Sequence, residues 1–131
     1  MIPNFRAWED SAEEGLQMWS WKEMYEMDLG QFFNNPKYEL MQSTGLKDKN
    51  GVEIYEGDIV RYTWDSPSDV NATEKGKKVR IAKVFWSDWR ASWAVGKKSC
   101  NDNLFRFARN GNTVEVIGSI YENKELLEVM E

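Results

Sequence analysis

Three glycines, Gly45, Gly51 and Gly57, recur at intervals of six residues along the first half of this chain. Glycine adopts the positive φ values of tight turns without steric cost, and the Asn50-Gly51 pair is typical of a type I′ hairpin turn. Asp58 follows the third glycine, where its carboxylate is expected to accept a backbone hydrogen bond that fixes the turn. The spacing therefore predicts short strands joined by sharp turns.

The segment after Gly57 shows the alternation of a strand with one buried face. In residues 59–64 the apolar Val60, Tyr62 and Trp64 alternate with Ile59, Arg61 and Thr63, which makes the first three the expected buried face. Further strands are predicted at residues 38–42, 52–55, 78–86, 89–95, 104–108 and 113–121. The segment 16–25 fits strand and helix spacing about equally, and the strand is favoured because Trp and Tyr suit pleated surfaces.

The remaining segments are predicted as connections and one helix. Residues 44–51 contain turn chemistry throughout, residues 65–76 a long loop, and residues 96–103 a polar loop. Asn110-Gly111 is a second hairpin turn. Leu126, Leu127 and Met130 lie at helical spacing near the end, with Asn123 as the expected N-cap of a short helix.

These elements predict a mostly β fold, a small bent sheet or partial barrel with an N-terminal extension and a short C-terminal helix. We expect one domain over residues 1–131, as its size suggests. Within it, residues 1–55 form the extension, residues 56–121 the barrel-like core, and residues 122–131 the helix.

Three segments of the sequence resemble the YopX family of phage and prophage proteins. They are FRAWED at 5–10, LMQSTGLKDKNGVEIYEGDIV at 40–60 and VEVIGSIYENKELLE at 114–128, in the order expected for that family. The resemblance implies a YopX-like, mainly β fold and a phage or prophage context. It brings no assigned activity and no catalytic or binding residues, and it leaves residues 65–110 without a counterpart.

The residue types exclude several kinds of site. The chain has one cysteine, Cys100, and no histidine, which rules out an intrachain disulfide, Ser-His-Asp or Cys-His catalysis and His-containing zinc sites. Nucleotide-binding and CxxC motifs are absent, so no cofactor and no metal are expected. The carboxylate clusters Glu9-Asp10, Glu13-Glu14 and Glu53/Glu56/Asp58 are predicted on loops or solvent faces, and we do not expect an enzyme.

The N-terminus lacks the pattern of a signal peptide, and no apolar run approaches the ~20 residues that span a bilayer. The predicted location is therefore the cytoplasm of the bacterial host cell, without a membrane partner.

Charge is unevenly distributed along the chain. The net charge of −5 combines an acidic segment 1–70, a basic segment 71–109 and an acidic end. The basic segment also carries tryptophans, and its candidate binding residues for nucleic acid or an acidic partner are Lys75, Lys77, Lys78, Arg80, Lys83, Trp86, Trp89 and Arg90. Basic side chains contact phosphates and exposed rings stack on bases. Core tryptophans and solubilising lysines explain the same pattern without a site.

The expected function is that of a phage accessory protein acting by binding. The partner is a host or phage protein, or a second copy of the chain in a homo-oligomer, because the basic middle could contact the acidic N-terminal part across subunits. The alternative is recognition of single-stranded nucleic acid through the basic, Trp-rich middle. A carboxylate-based enzyme is the third hypothesis.

Overall fold

The chain folds into two antiparallel sheets, seen in a computed structural model that describes residues 4–11, 15–64, 78–97, 100–108 and 112–128. The first sheet, in the order β2-β1-β3-β4, contains β1 (Phe5–Ser11), β2 (Gly15–Trp19), β3 (Tyr38–Lys47) and β4 (Glu53–Tyr55). The second, in the order β8-β7-β6-β5-β9, contains β5 (Asp58–Trp64), β6 (Lys78–Ser87), β7 (Ser92–Lys97), β8 (Cys100–Asn103) and β9 (Glu115–Ser119). The helices are α1 (Trp21–Glu26), α2 (Leu29–Phe33), α3 (Leu104–Ala108) and α4 (Glu125–Glu128).

The second sheet curls into a half-barrel around the larger core. Val60 and Tyr62 of β5 are buried there, as their alternation predicts, while the side chain of Trp64 lies outside the described residues. Ile59, predicted on the opposite face, is fully buried too, so at its start β5 is covered on both faces. Helix α3 packs on this face. The buried members of the cluster are Ile54, Val60, Tyr62, Val84, Val95, Leu104, Phe107 and Val114. The predicted mostly β fold with a partial barrel and a short C-terminal helix is confirmed.

The two faces of the first sheet pack against different parts of the molecule. Ala7 on β1 lies against helices α1 and α2, in a cluster with Met24 and Phe32. Side chains alternate along a strand, so Arg6 and Trp8 are on the other face. Trp8 stacks on Tyr121 with ring centroids 5.7 Å apart. Helices α1 and α2 and the second sheet therefore lie on opposite sides of β1.

Gly57 forms the turn between the two sheets. Its φ of +85° lies in the left-handed region, which glycine adopts without strain. Its N–H donates to the carbonyl of Val84 at 2.9 Å, and its carbonyl accepts from the N–H of Ile120 at 2.9 Å. This one residue is thus bonded both to β6 and to the segment that follows β9.

Several predicted elements in the first half differ from the structure. Residues 16–25 divide into strand β2 and helix α1, because the Ser20 hydroxyl accepts from the Glu23 N–H while the Glu23 carboxylate accepts from the Ser20 N–H. This capping box starts a helix, and the strand prediction is correct only up to Trp19. The prediction of turn throughout 44–51 was wrong for 44–47, which continue β3.

The second half also differs from the predicted elements. Strand β7 begins at Ser92, not at residue 89; residues 100–103 are a strand, not a loop; and residues 104–108 are a helix, not a strand. Asn123 does not cap α4, because its side chain accepts a hydrogen bond from the Ser119 N–H.

The predicted loop 65–76 and the Asn110-Gly111 turn lie outside the described residues. No helix in the described ranges is long and apolar enough to cross a membrane.

Candidate functional site

The β6–β7 hairpin carries an aromatic pair close to its turn. Trp86 on β6 lies opposite Trp93 on β7, and the rings meet edge to face with centroids 5.2 Å apart. Trp93 is half-buried and packs against the core of the half-barrel, whereas 46% of Trp86 is exposed. The pair therefore extends the core to the surface of the hairpin.

The turn of this hairpin holds an exposed ring beside a fixed cation. Trp89 is 87% exposed, and the guanidinium carbon of Arg90 lies 5.3 Å from its ring centroid. Arg90 Nε donates to Asn101 Oδ1 at 2.7 Å and Nη2 to the Asn101 carbonyl at 2.8 Å. The Arg90 N–H donates to Ser87 Oγ. We call Trp86, Trp89, Arg90 and Trp93 the hairpin tip.

The predicted binding residues do not form one continuous surface in the described part of the chain. Lys75 and Lys77 lie outside it, as does the side chain of Lys78. Arg80 and Trp86 lie on one face of β6 and Lys83 on the other, because side chains alternate. The structure places together Trp86, Trp89 and Arg90 at the hairpin tip, and that these residues bind a partner remains a prediction.

A buried ion pair joins the two sheets. Arg6 Nη2 on β1 lies 2.6 Å from Asp58 Oδ1 on β5, and 1% of the Asp58 side chain is exposed. Asp58 Oδ2 accepts from the Tyr55 N–H at 2.7 Å, which is the turn-fixing bond predicted from the sequence. Burial raises the pKa of Asp58, against the lowering influence of Arg6.

A second carboxylate, that of Glu53 on β4, lies five residues before Asp58 in the sequence and accepts several hydrogen bonds. It accepts from Ser43 Oγ at 2.9 Å, from the Tyr55 hydroxyl at 2.8 Å and from Asn4 Nδ2 at 3.2 Å. Burial raises the pKa of Glu53, but these donors outweigh it and hold the pKa below its ordinary value. Burial, then the bond to Glu53, raises the pKa of the Tyr55 hydroxyl.

These carboxylates correct the expectation that the acidic clusters lie on loops or solvent faces. That expectation was wrong for Asp58 and for Glu9, which is buried in β1 and accepts from Trp19 Nε1 at 2.8 Å. Each contact is to another group of the chain, so a structural role accounts for both residues. In the described ranges no cluster of three or more Cys, His, Asp and Glu is placed to hold a metal ion.

The loop after β3 is organised by Asp48, which is 4% exposed. Its Oδ1 accepts from the N–H groups of Asn50 and Val52 at 2.8 and 2.9 Å. Its Oδ2 accepts from the N–H of Val116 on β9 at 3.0 Å. Neighbouring Lys49 donates its N–H to the carbonyl of Val114. Asp48 thus shapes its own loop and attaches it to β9.

Substituting Asp48 by alanine is expected to lower the free energy of unfolding by about 2 kcal/mol, because three backbone donors lose a charged acceptor. Equilibrium urea unfolding followed by tryptophan fluorescence measures the change. Lys47→Ala, at the exposed end of β3 beside this loop, serves as the control and should change stability by less than about 0.5 kcal/mol. Equal effects of the two substitutions would contradict the assigned role of Asp48.

Comparison with known proteins agrees with this architecture. A family model described as YopX protein matches residues 4–128. The chain belongs to the YopX family. The three segments that resemble this family contain both members of the Arg6–Asp58 ion pair, Gly57 and Asp48. Several residues of these three segments therefore join the two sheets. The hairpin tip lies outside the three segments.

One solved structure supports the fold of this YopX-family chain. The crystal structure of protein EF1440 from Enterococcus faecalis matches with a TM-score of 0.54 and 24% sequence identity, over 97% of this chain and 99% of that one. At that identity the likeness shows a shared fold. No curated protein matches the sequence.

The sequence pointed to the basic middle and missed the Arg6–Asp58 pair. Both residues stand in segments that resemble the family, FRAWED and YEGDIV. That shared position was the one available signal, because their separation along the chain gives no indication of contact.

Proposed function

We propose that this YopX-family chain is a phage accessory protein of the bacterial cytoplasm that acts by binding another protein, not by catalysis. The observation that carries the proposal is the hairpin tip, where Trp89 is 87% exposed beside an anchored arginine. Trp and Arg are the residues most often responsible for binding energy at interfaces. Because Arg90 is already held by Asn101, little side-chain entropy is lost when a partner contacts it.

The charge around the hairpin indicates the kind of partner. Residues 71–109 carry a net positive charge, and Arg80 and Lys97 are exposed on the two strands of the hairpin. A complementary partner presents an acidic surface with room for an indole ring. A protein surface meets this requirement with a compact patch, which suits one prominent aromatic residue beside a single anchored cation.

Single-stranded nucleic acid is the second candidate, favoured by the Trp89–Arg90 stack, since exposed aromatic rings beside cations are what such binders use. A bound strand, however, needs cations that follow its phosphates. Arg80 and Lys83 lie on opposite faces of β6, so one strand cannot contact both along that face. This placement favours a protein partner.

Trp89→Ala tests the proposal. The full chain is used as bait in a lysate of bacteria carrying a related phage, the captured protein is identified and purified, and its dissociation constant is measured. We expect Trp89→Ala to raise that constant about 30-fold, the effect of losing one interface hot spot. Leu16→Ala, which removes an exposed apolar side chain on β2, should leave it unchanged.

Two results would contradict the protein-binding proposal. One is a dissociation constant that Trp89→Ala leaves at the wild-type value. The other is quenching of tryptophan fluorescence by single-stranded oligonucleotides at low salt that disappears in Trp89→Ala, which would assign the hairpin tip to nucleic acid instead.

A further inference from the structure

We infer that the hairpin tip binds a second copy of this chain, at the surface formed by helices α1 and α2. The inference rests on the proposed function, since it names the partner of the same site. Its receiving surface, here called the helical layer, consists of the exposed residues Tyr25, Glu26, Met27, Asp28 and Phe33.

The helical layer exposes large apolar side chains. Tyr25 is 69% exposed, Met27 54% and Phe33 42%. Phe33 also contacts aromatic residues below the surface. Its ring meets that of Phe5 edge to face with centroids 5.4 Å apart, and the Phe5 and Trp21 centroids are 6.0 Å apart. Exposed apolar side chains grouped on a short helical segment, with polar residues between them, are typical of protein contact surfaces.

The same layer carries more acidic than basic side chains. The Glu23 carboxylate accepts from the Ser20 N–H at the start of α1, and the Asp28 carboxylate accepts from the Gly30 N–H at the start of α2. Glu26 has no ion pair within the described part of the chain. Lys22 is the basic residue on α1, so acidic side chains outnumber basic ones on the layer.

The hairpin tip is complementary to this layer in both respects. It presents Trp89 and Trp86 to the apolar side chains, and Arg90 to Glu26 and Asp28. Opposite charges facing each other across a contact favour association and fix its orientation. Tryptophan against exposed tyrosine and phenylalanine adds the aromatic contact area that gives binding energy.

The contact has to form between chains. Helices α1 and α2 cover the face of β1 that carries Ala7, whereas the Arg6–Asp58 pair attaches the half-barrel to the opposite face. The hairpin tip and the helical layer of one molecule therefore face different sides of the first sheet. Each copy offers one tip and one layer, so two copies can exchange both contacts in a symmetric dimer, or copies can add head to tail into a ring or an extended chain.

The experiment measures molar mass by light scattering for the full chain and two single variants. We expect the wild type to exceed the monomer mass of 15.4 kDa at micromolar concentration. Trp89→Ala and Tyr25→Ala should each raise the dissociation constant about 30-fold and give monomers. Leu16→Ala should keep the wild-type mass, and raising the salt concentration should reduce it because charges contribute.

Mixing the two variants tests whether the hairpin tip of one copy binds the helical layer of another. Trp89→Ala retains its helical layer and Tyr25→Ala retains its hairpin tip, so an equimolar mixture should form a dimer in which one intact contact remains. That dimer also shows that both variants are folded. A mixture that stays monomeric, or a Tyr25→Ala protein with the wild-type mass, would refute the inference.

A wild-type monomer would likewise refute self-association but leave the proposed function standing, provided that another protein is captured and that Trp89→Ala weakens its binding. If neither self-association nor such a partner is found, both proposals fail.

Discussion

Replacing Arg6 with methionine is expected to lower the free energy of unfolding by about 4 kcal/mol at neutral pH, the effect of leaving one partner of a buried ion pair unpaired. Arg6 Nη2 lies 2.6 Å from the carboxylate of Asp58, and the two side chains are 14% and 1% exposed. Methionine fills a similar space without the charge, so the loss reports the electrostatic contact more than a cavity. Urea unfolding of the two proteins measures it.

The loss should depend on pH in a defined direction. Burial raises the pKa of Asp58 in the folded protein above its ordinary value of 3.8. Protonation of Asp58 therefore stabilises the folded state. This stabilisation is fully present below the pKa that Asp58 has in the unfolded chain, and it is lost as the pH rises through the pKa that Asp58 has in the folded protein. Arg6 opposes the rise, so Arg6→Met raises the folded pKa further. The difference between wild type and variant should shrink as the pH falls from neutral to ~4.

Two controls separate this ion pair from ordinary surface charges. Arg61→Met breaks the ion pair between Arg61 Nη2 and Glu115 Oε1, which are 3.2 Å apart; about half of the Arg61 side chain is exposed. This substitution should lower the free energy of unfolding by less than about 1 kcal/mol. Adding Asp58→Asn to Arg6→Met removes the unpaired charge and should recover much of the lost stability. Equal losses for Arg6→Met and Arg61→Met at neutral pH would contradict a special role for the buried pair.

Substituting Gly57 by alanine is expected to lower the free energy of unfolding by about 3 kcal/mol. A residue with a β-carbon loses about 1–2 kcal/mol in the left-handed region. Overpacking adds about 1–2 kcal/mol, because the new methyl would lie 3.2 Å from Met41 Sδ and 3.6 Å from Ile120 Cγ1. Thermal or urea unfolding gives the value.

Gly51→Ala is the matched control for Gly57→Ala. Gly51 has φ of +82° against +85° for Gly57, but a β-carbon there meets no heavy atom within 4 Å. It should lose only the conformational part, about 1–2 kcal/mol. The difference between the two variants isolates the packing around the junction of the sheets. If both variants lost the same amount, the contacts of Gly57 with Met41 and Ile120 would be unimportant for stability.

The mostly β fold was predictable because strands with one buried face show a period of two over enough residues. In residues 59–64 the inward side chains Val60 and Tyr62 were identified correctly, whereas Ile59, expected on the opposite face, is fully buried as well. The tight turns at Gly51 and Gly57 were likewise predictable, because glycine adopts the positive φ that both residues have. Here local chemistry and the final fold agree, which is the condition under which sequence reasoning succeeds.

Short segments were not predictable in the same way. Residues 104–108 alternate like a strand, yet Leu104 and Phe107 are buried three residues apart and Phe105 is exposed, as a helix requires. Five residues do not separate the two periods. Strand β8 has the sequence CNDN, which carries no apolar signal at all; its pairing with β7 decides its conformation.

The candidate site was predictable in part. The sequence identified Trp86, Trp89 and Arg90 as candidates by composition alone, but it grouped with them Lys83, which lies on the other face of β6. It also placed Asp58 among solvent-facing carboxylates, although Arg6 covers it. A contact between residues 52 positions apart depends on how the two sheets meet, and nothing local to either residue encodes that.

The loop held by Asp48 affects the tendency of this protein to aggregate at high concentration. An open strand edge is a template on which other chains add as further strands, the first step of amyloid-like aggregation. On the outer edge of β9, the N–H of Val116 and the carbonyl of Val114 are already taken by Asp48 and Lys49. The loop thus covers part of the open edge of the second sheet, and a chain without it would be more prone to aggregation as well as less stable.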